Sequence, residues 1–397
     1  MKHYKVLWFD DEFDELLLIK ETAAINDISL HGFSNAEEGV AELEKNYLIY
    51  DAVIADGLFF NKPGQSGDSV KDTALFSVAR AIDKLSDKKV MPWFILSGQS
   101  SFTKEKNRYA EGYKNNKVYD KTSQDHLDLL WNDVKREADL QPETQIKHDY
   151  AKAFELCQAK YIGKAALKPL MQILKSVREP NSSFDDELYF TQIRIILELM
   201  FRATNTIGLL HDRCVDGGKV NLSESSLFLS GVATKHLGVS CKKAHFNKII
   251  SESVKSIIFI TGAASHTVDP EIKNNINLTD YRQSVNTPYL LYSLTFQLLD
   301  ILIWFKKYAD ENSDINKNKS LWESVDLSTS DEEWIKGQVI KIAENGYGTF
   351  KPLAGGNTLS IIPHMVNEFK LREHQKIEVA TKPDATGTKK LIRSIRA

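Results

Sequence analysis

Over the first third of the chain, short apolar runs alternate with amphipathic stretches. KVLWF at 5–9, DAVIA at 51–55, PWFIL at 92–96 and KVYD at 117–120 are bounded by polar residues, and ISLHGFS at 28–34 supplies a fifth run. Between them, segments near 13–25, 36–47 and 67–86 carry apolar residues at helical spacing. Strand-length runs separated by helix-length patterns predict βαβ units, and hence a parallel sheet covered on both faces. The expectation is a doubly wound, five-stranded α/β domain over residues 1–138.

The pattern then changes. From 143 to 308 the periods are helical: Ile193, Ile196, Leu197, Met200, Phe201 and Thr204 recur at i, i+3, i+4 and i+7, with SSFD at 182–185 as a capping box just upstream. This predicts an all-α helical bundle, with further helices at 242–263 and from Pro288 onward. Residues 309–334 hold eight acids and two lysines with little apolar periodicity, which reads as a linker. From 335 to 397, short alternating runs (QVIKI, NTLSII, KIEVAT, KKLIRSI) separated by Gly, Asn and Pro predict a small β-barrel.

Composition sharpens this picture at three points. The 397 residues are 42% hydrophobic and 26% charged, as expected of a folded chain of several domains. The net charge of −3 conceals a basic tail: from Ile335 onward there are eleven Lys or Arg against five Asp or Glu, a local charge of +6. Cys157, Cys214 and Cys241 form no C-x-x-C pair and read as reduced thiols of a cytoplasmic protein. The most apolar stretch, PYLLYSLTFQLLDILIWF at 288–305, carries Gln297 and Asp300 in its middle, so a bundle helix is expected and no membrane partner.

The chemistry concentrates at strand ends. In a parallel sheet, ligands bind where the carboxyl ends of the strands meet the following loops. Asp10 and Asp11 end the first run, Asp56 ends DAVIA, Ser97 follows PWFIL and Lys121 follows KVYD. Three carboxylates gathered there repel one another, and a hard divalent cation such as Mg²⁺ resolves the conflict. A metal, an ammonium and a hydroxyl around one carboxylate suit the acceptance of a phosphoryl group, with Asp56 as nucleophile.

This ordered set resembles the receiver domain of two-component response regulators, a flavodoxin-like fold. The resemblance implies Mg²⁺ held by Asp10, Asp11, Asp56 and the Leu58 backbone carbonyl. It also implies phosphorylation of Asp56 by a histidine kinase or small phosphodonor, assisted by Ser97 and Lys121. Three features depart from the family: the loop after Asp56 is long, Val118 stands where a switching aromatic is usual, with Tyr119 next to it, and Asp120 and Thr122 flank Lys121 where Lys-Pro is usual. Glu12 is expected to begin the first helix, near the positive end of its dipole.

The basic tail resembles a cold-shock or OB-type domain, carried by Gly337, Val339, Gly346-Tyr347-Gly348, Phe350 and His364. The resemblance implies binding of single-stranded RNA or DNA, RNA being favoured. Tyr347, Phe350 and His364 would stack on bases, while Lys336, Lys341 and Lys351 attract the phosphates.

The helical middle resembles HEPN-type domains faintly, through FTQIRIILELMFRATNTIGLL and FITGAASHTVD. It lacks that family's closely spaced Arg and His, since Arg202 and His211 are nine apart and Ser265-His266 has no matching Arg. His236, Cys241 and His245 fit no common zinc spacing. The sequence therefore predicts a phosphoacceptor rather than an enzyme, an atypical response regulator whose bundle offers a homodimer contact and whose barrel is the output. The alternatives are a receiver-based protein-interaction scaffold without nucleic acid, and an RNA-cleaving defence protein.

Overall fold

In the computed structural model, five strands hydrogen-bond in parallel: β1 (Tyr4–Phe9), β2 (Ile28–Phe33), β3 (Ala52–Ala55), β4 (Trp93–Ser97) and β5 (Val118–Asp120). The residues described are 2–65, 73–99, 118–179, 186–265, 278–325, 334–383 and 390–396. The chain divides into two units, residues 1–323 and 324–397.

The strand order is β2-β1-β3-β4-β5. Alternate residues of the same strands feed separate cores: Val6, Trp8, Ile54, Leu96 and Tyr119 on one face, Leu7, Phe9, Val53, Ala55 and Ile95 on the other. That two-sided burial is why these runs read as continuously apolar rather than alternating. Each Val, Leu, Ile or Phe among them contributes roughly 1.5–3 kcal/mol on burial.

Helices α1 (Leu17–Ile25), α2 (Ala36–Asn46), α3 (Thr73–Leu85) and α4 (Gln124–Asp139) accompany the sheet. Asn35 caps α2, its side-chain oxygen accepting from Glu38 N at 2.9 Å while its amide nitrogen donates to Glu38 Oε2 at 2.7 Å. The first helix begins later than its periodicity suggests. Residues 11–15 are turns, held by Asp10 Oδ1 accepting from Glu12 N at 3.1 Å and Asp10 O accepting from Phe13 N at 3.2 Å. Glu12 therefore belongs to this turn, not to the helix start, because the Asp10 side chain satisfies its N–H locally.

The remainder of the first unit is mainly helical: α5 (Pro142–Asp149), α6 (Leu167–Arg178), α7 (Asp186–Thr206), α8 (Leu222–Leu229), α9 (Lys248–Ser265) and α10 (Tyr289–Glu311). Helix α7 packs against α6, α9 and α10 around one core. Its predicted stripe Ile193, Ile196, Leu197, Met200, Phe201 and Thr204 is buried throughout. The SSFD capping box lies outside the described residues, as does His266. Short paired strands at 215–216 and 219–220 interrupt the helical pattern. The acidic stretch after 308 is not wholly a linker: α10 runs on to Glu311, a short helix spans Ile315–Lys319, and Trp322 Nε1 donates to Gly208 O at 3.0 Å. Those tertiary contacts order a segment whose composition alone reads as loose.

A buried charge network joins the sheet to the helical part at the sheet's amino-terminal edge. Asp51, which precedes β3, pairs with Lys147 of α5 and accepts from Thr144 Oγ1 and Lys5 N, each at 2.9 Å. Nearby, Lys89 donates to Tyr50 O, and Glu143 of α5 pairs with Lys175 of α6. Every buried charge here has a partner, which is the condition for tolerating it in a low-dielectric joint.

The second unit is an antiparallel five-stranded sheet: β6 (Trp334–Ile342), β7 (Gly348–Pro352), β8 (Leu359–Ile361), β9 (Lys376–Pro383) and β10 (Lys390–Arg396), in the order β8-β7-β6-β9-β10. Its end strands β8 and β10 also approach each other, so the sheet is nearly closed. Gly337 is required by packing, since a Cβ there would stand 2.2 Å from Phe350 Cζ. Gly346, at φ +83°, makes the turn into β7 that other residues adopt only with strain.

Candidate metal centre

The order β2-β1-β3 places a topological switch point between β1 and β3, and the loops leaving both strands carry the acids. Backbone bonds fix this edge: Asp10 N donates to Phe33 O at 3.0 Å, Asp56 N to Phe9 O at 2.8 Å, and Lys121 N to Ser97 O at 3.2 Å. Carboxylate oxygens of Asp10, Asp11 and Asp56 all lie within 4.8 Å of one another. Lys121 Nζ reaches between two of them, 2.7 Å from Asp10 Oδ2 and 2.7 Å from Asp56 Oδ2.

Ser97, wholly buried, ends β4 beside Asp120 in the sheet register, and its Oγ accepts from Gln99 N at 3.4 Å. Leu58 follows Asp56 by two residues in the same loop. Thus the strand ends bring together Asp10, Asp11, Asp56 and Lys121, with Ser97 at the end of the strand between β3 and β5.

Burial, reinforced by the neighbouring Asp56 charge, pushes the Asp10 carboxyl up to about 6. Burial likewise raises Asp11. For Lys121, burial works to lower the ammonium, but Asp56 and Asp10 outweigh it and hold its pKa above the ordinary lysine value. The site thus carries more negative charge than one lysine neutralises comfortably.

The donor set fits a hard divalent cation. Asp10 Oδ2 is buried, with the Lys121 ammonium 2.7 Å away. A buried carboxylate that shares its one ammonium with Asp56, with Asp11 also within reach, leaves an all-oxygen site with excess negative charge of the kind Mg²⁺ takes.

Tyr119 belongs to the core, with its hydroxyl donating to Asp133 Oδ2 at 2.6 Å, and Val118 occupies the other face. Sequence reasoning missed the Asp51, Lys89 and Lys147 network. The signal was there in charges directly flanking apolar runs, but nothing local tells a buried partner from a solvated one.

On the second unit the expected nucleic-acid residues separate. Lys336, Lys341 and Lys351 are exposed, Tyr347 is 46% exposed, and the His364 side chain is 80% exposed, 3.4 Å from Glu368. Lys336 lies 3.5 Å from Glu378. Phe350 is a correction: it is fully buried opposite Val339, because strand alternation turns it to the core side of the sheet, so its ring faces are closed to a base. Trp334, overlooked in the sequence, lies 3.8 Å under the Arg396 guanidinium.

In the helical part, Arg202 donates to Glu198 and Gly218 O, while the His211 ring packs on Trp322 at 4.5 Å. Cys241 Sγ and His245 Nε2 are 3.3 Å apart, and His245 Nδ1 lies 2.9 Å from Tyr308 OH. His236 is exposed. Among the described residues, no helix is long and apolar enough to cross a membrane.

No family model matches the chain, and no curated protein matches it. Solved structures similar to part of it include a response regulator receiver domain protein from Clostridium thermocellum, 23% identical, covering 34% of this chain and 98% of its own, with TM-score 0.26. The Francisella response regulator 1452 receiver domain is 19% identical over 35% of this chain and 98% of its own, TM-score 0.25. Full-length FixJ from B. japonicum is 13% identical over 52% of this chain and 90% of its own, TM-score 0.26.

Proposed function

We propose that the chain is an atypical response regulator whose Asp56 accepts a phosphoryl group. One observation carries this reading: Asp10, Asp11, Asp56 and Lys121 converge at the switch point of a parallel sheet. Mg²⁺ bound here would be held by Asp10, Asp11, Asp56 and the Leu58 carbonyl, and would neutralise the phosphoryl oxygens. The Asp56 carboxylate attacks phosphorus as the bond to the donor's nitrogen or oxygen breaks, leaving an acyl phosphate on the chain and the electron pair on the donor. Lys121, already within 2.7 Å of Asp56, stabilises the incoming charge, and the Ser97 hydroxyl donates to it. The protein is in this reading a phosphoacceptor rather than an enzyme on other substrates.

The output is the nearly closed sheet, read as an OB-like barrel that binds single-stranded nucleic acid, RNA favoured. Support comes from the exposed Lys336, Lys341 and Lys351 and from the half-exposed Tyr347 at the turn between β6 and β7. Incubation with Mg²⁺ and acetyl phosphate, followed by intact mass measurement, should add one phosphate that Asp56→Asn abolishes. Absence of modification under these conditions and with a beryllofluoride mimic overturns the proposal.

A second reading, a receiver-shaped scaffold without nucleic acid, is favoured by the Tyr119 ring. It is buried with its hydroxyl held by Asp133, so the usual aromatic movement has no ready participant. Failure of labelled single-stranded RNA to bind even at low salt selects this reading.

A further inference from the structure

At the opposite edge of the parallel sheet from Asp56, a cavity of about 820 Å³ opens between the start of β1, the chain before β3, α5 and the segment 151–167. This volume lies in the range of small-molecule sites, which favour such junctions. Both the sheet and the helical part contribute walls, all within the first unit.

The lining is divided by chemistry. Ile49, Ala151, Phe154 and Leu167 offer an apolar surface. The two lining acids are already neutralised, Asp51 by Lys147 and Glu155 by Lys306 at 3.1 Å. Of the four lining lysines, Lys147 is spent on Asp51 and Lys2 on Asp139 at 2.7 Å. Lys5 and Lys164 have no acid in ion-pair contact among the described residues. Glu42, whose carboxylate interacts electrostatically with Lys164, is already bonded by Tyr50 and Asn46 at 2.8 and 2.9 Å. Lys5, with no acid in contact, and Lys164, which faces only the Glu42 charge at longer range, stand beside an apolar hollow and favour one ligand chemistry, a negative head on an apolar body.

We propose that this cavity binds a small organic anion with an apolar or aromatic body, its acidic head on Lys5 and Lys164 and its body against Phe154 and Leu167. The site is separate from Asp56 and does not depend on phosphorylation. A ligand there contacts both the sheet edge and the helical segment and so ties them together.

Calorimetric titration of the full chain with 1-anilinonaphthalene-8-sulfonate and with octanoate tests the head, with 1-octanol as the uncharged control. Saturable binding of one equivalent is expected for the anions, at least tenfold tighter than for octanol. Lys5→Glu with Lys164→Glu should weaken the anions tenfold or more, and Ala151→Trp should abolish binding by filling the hollow. Circular dichroism melts of each variant establish that it is folded. No saturable anion binding, equal binding of octanol, or unchanged affinity in the folded charge variant each overturns the proposal.

Discussion

Lys121 Nζ stands 2.7 Å from Asp56 Oδ2, and the same ammonium is 2.7 Å from Asp10 Oδ2. One cation thus holds together two buried carboxylates that come from different strands. The Lys121 side chain is only 10% exposed, so solvent does little of this work.

Removing that cation leaves the acids facing one another. Lys121→Ala is expected to destabilise the first unit by about 3–5 kcal/mol in the absence of divalent ions, the usual cost of breaking a buried pair from one side. Millimolar Mg²⁺ should recover part of the loss, because the metal replaces the missing charge and binds only the folded site. Urea denaturation with and without Mg²⁺ measures both effects, and a loss that Mg²⁺ leaves untouched argues against metal binding at these acids.

The joint between sheet and helices makes a similar prediction through Asp51 and Lys147. Asp51 also satisfies Thr144 and the Lys5 N–H, so Asp51→Ala strands a buried lysine and two donors. A loss of several kcal/mol is expected. A double-mutant cycle with Lys147→Met should show a coupling of about 0.5–3 kcal/mol. Additive effects would mean the two side chains do not depend on each other.

Lys89 should impose a pH dependence. Burial, with the Lys147 charge nearby, lowers its ammonium to about 7, although Asp51 and Glu143 act to raise it and Lys175 to lower it. The unfolded lysine titrates near its ordinary value, so between about pH 7 and about pH 10.4 the unfolded chain binds more protons. Stability from this group therefore rises with pH across that window, by at most about 1.4 kcal/mol per pH unit, and is lost as pH falls through it. Lys89→Met should flatten the profile of unfolding free energy between pH 7 and 9, and an unchanged slope would assign the dependence elsewhere.

In the second unit, Phe350 and Tyr347 should behave oppositely. Phe350→Ala is expected to cost about 3–5 kcal/mol, as for any large core aromatic. Tyr347→Ala should leave stability within about 0.5 kcal/mol, since it alters an exposed turn. If the barrel binds single strands, that second variant alone should weaken binding of labelled single-stranded RNA, by about 1–3 kcal/mol if the ring stacks on a base.

Much of the candidate site is legible in the sequence. An acid or a lysine placed immediately after an apolar run announces the end of a strand, and parallel strands send those ends to one edge. Asp10, Asp56, Ser97 and Lys121 were named on that basis. The Phe350 assignment failed for a complementary reason. Aromatic residues in a short strand are equally suited to stacking on a base or filling the core, and only the register with Val339 decides which side the ring takes. The turn around Glu12 and the ordering of the segment after Asp310 went unread because each depends on a contact distant in sequence or on one side-chain bond.

What the sequence determined by itself was therefore periodicity: which segments are strands buried on both faces, which are helices with one apolar stripe, and which charged residues stand at their ends. The tertiary structure alone decided the partners of those charges. Lys121 was expected beside Asp56, but that it also holds Asp10, that Asp51 meets Lys147 rather than water, and that Lys5 and Lys164 are left without acids in contact are facts of three-dimensional register. Local backbone preferences act over a few residues, whereas the energy of a buried charge depends on whatever the fold packs against it.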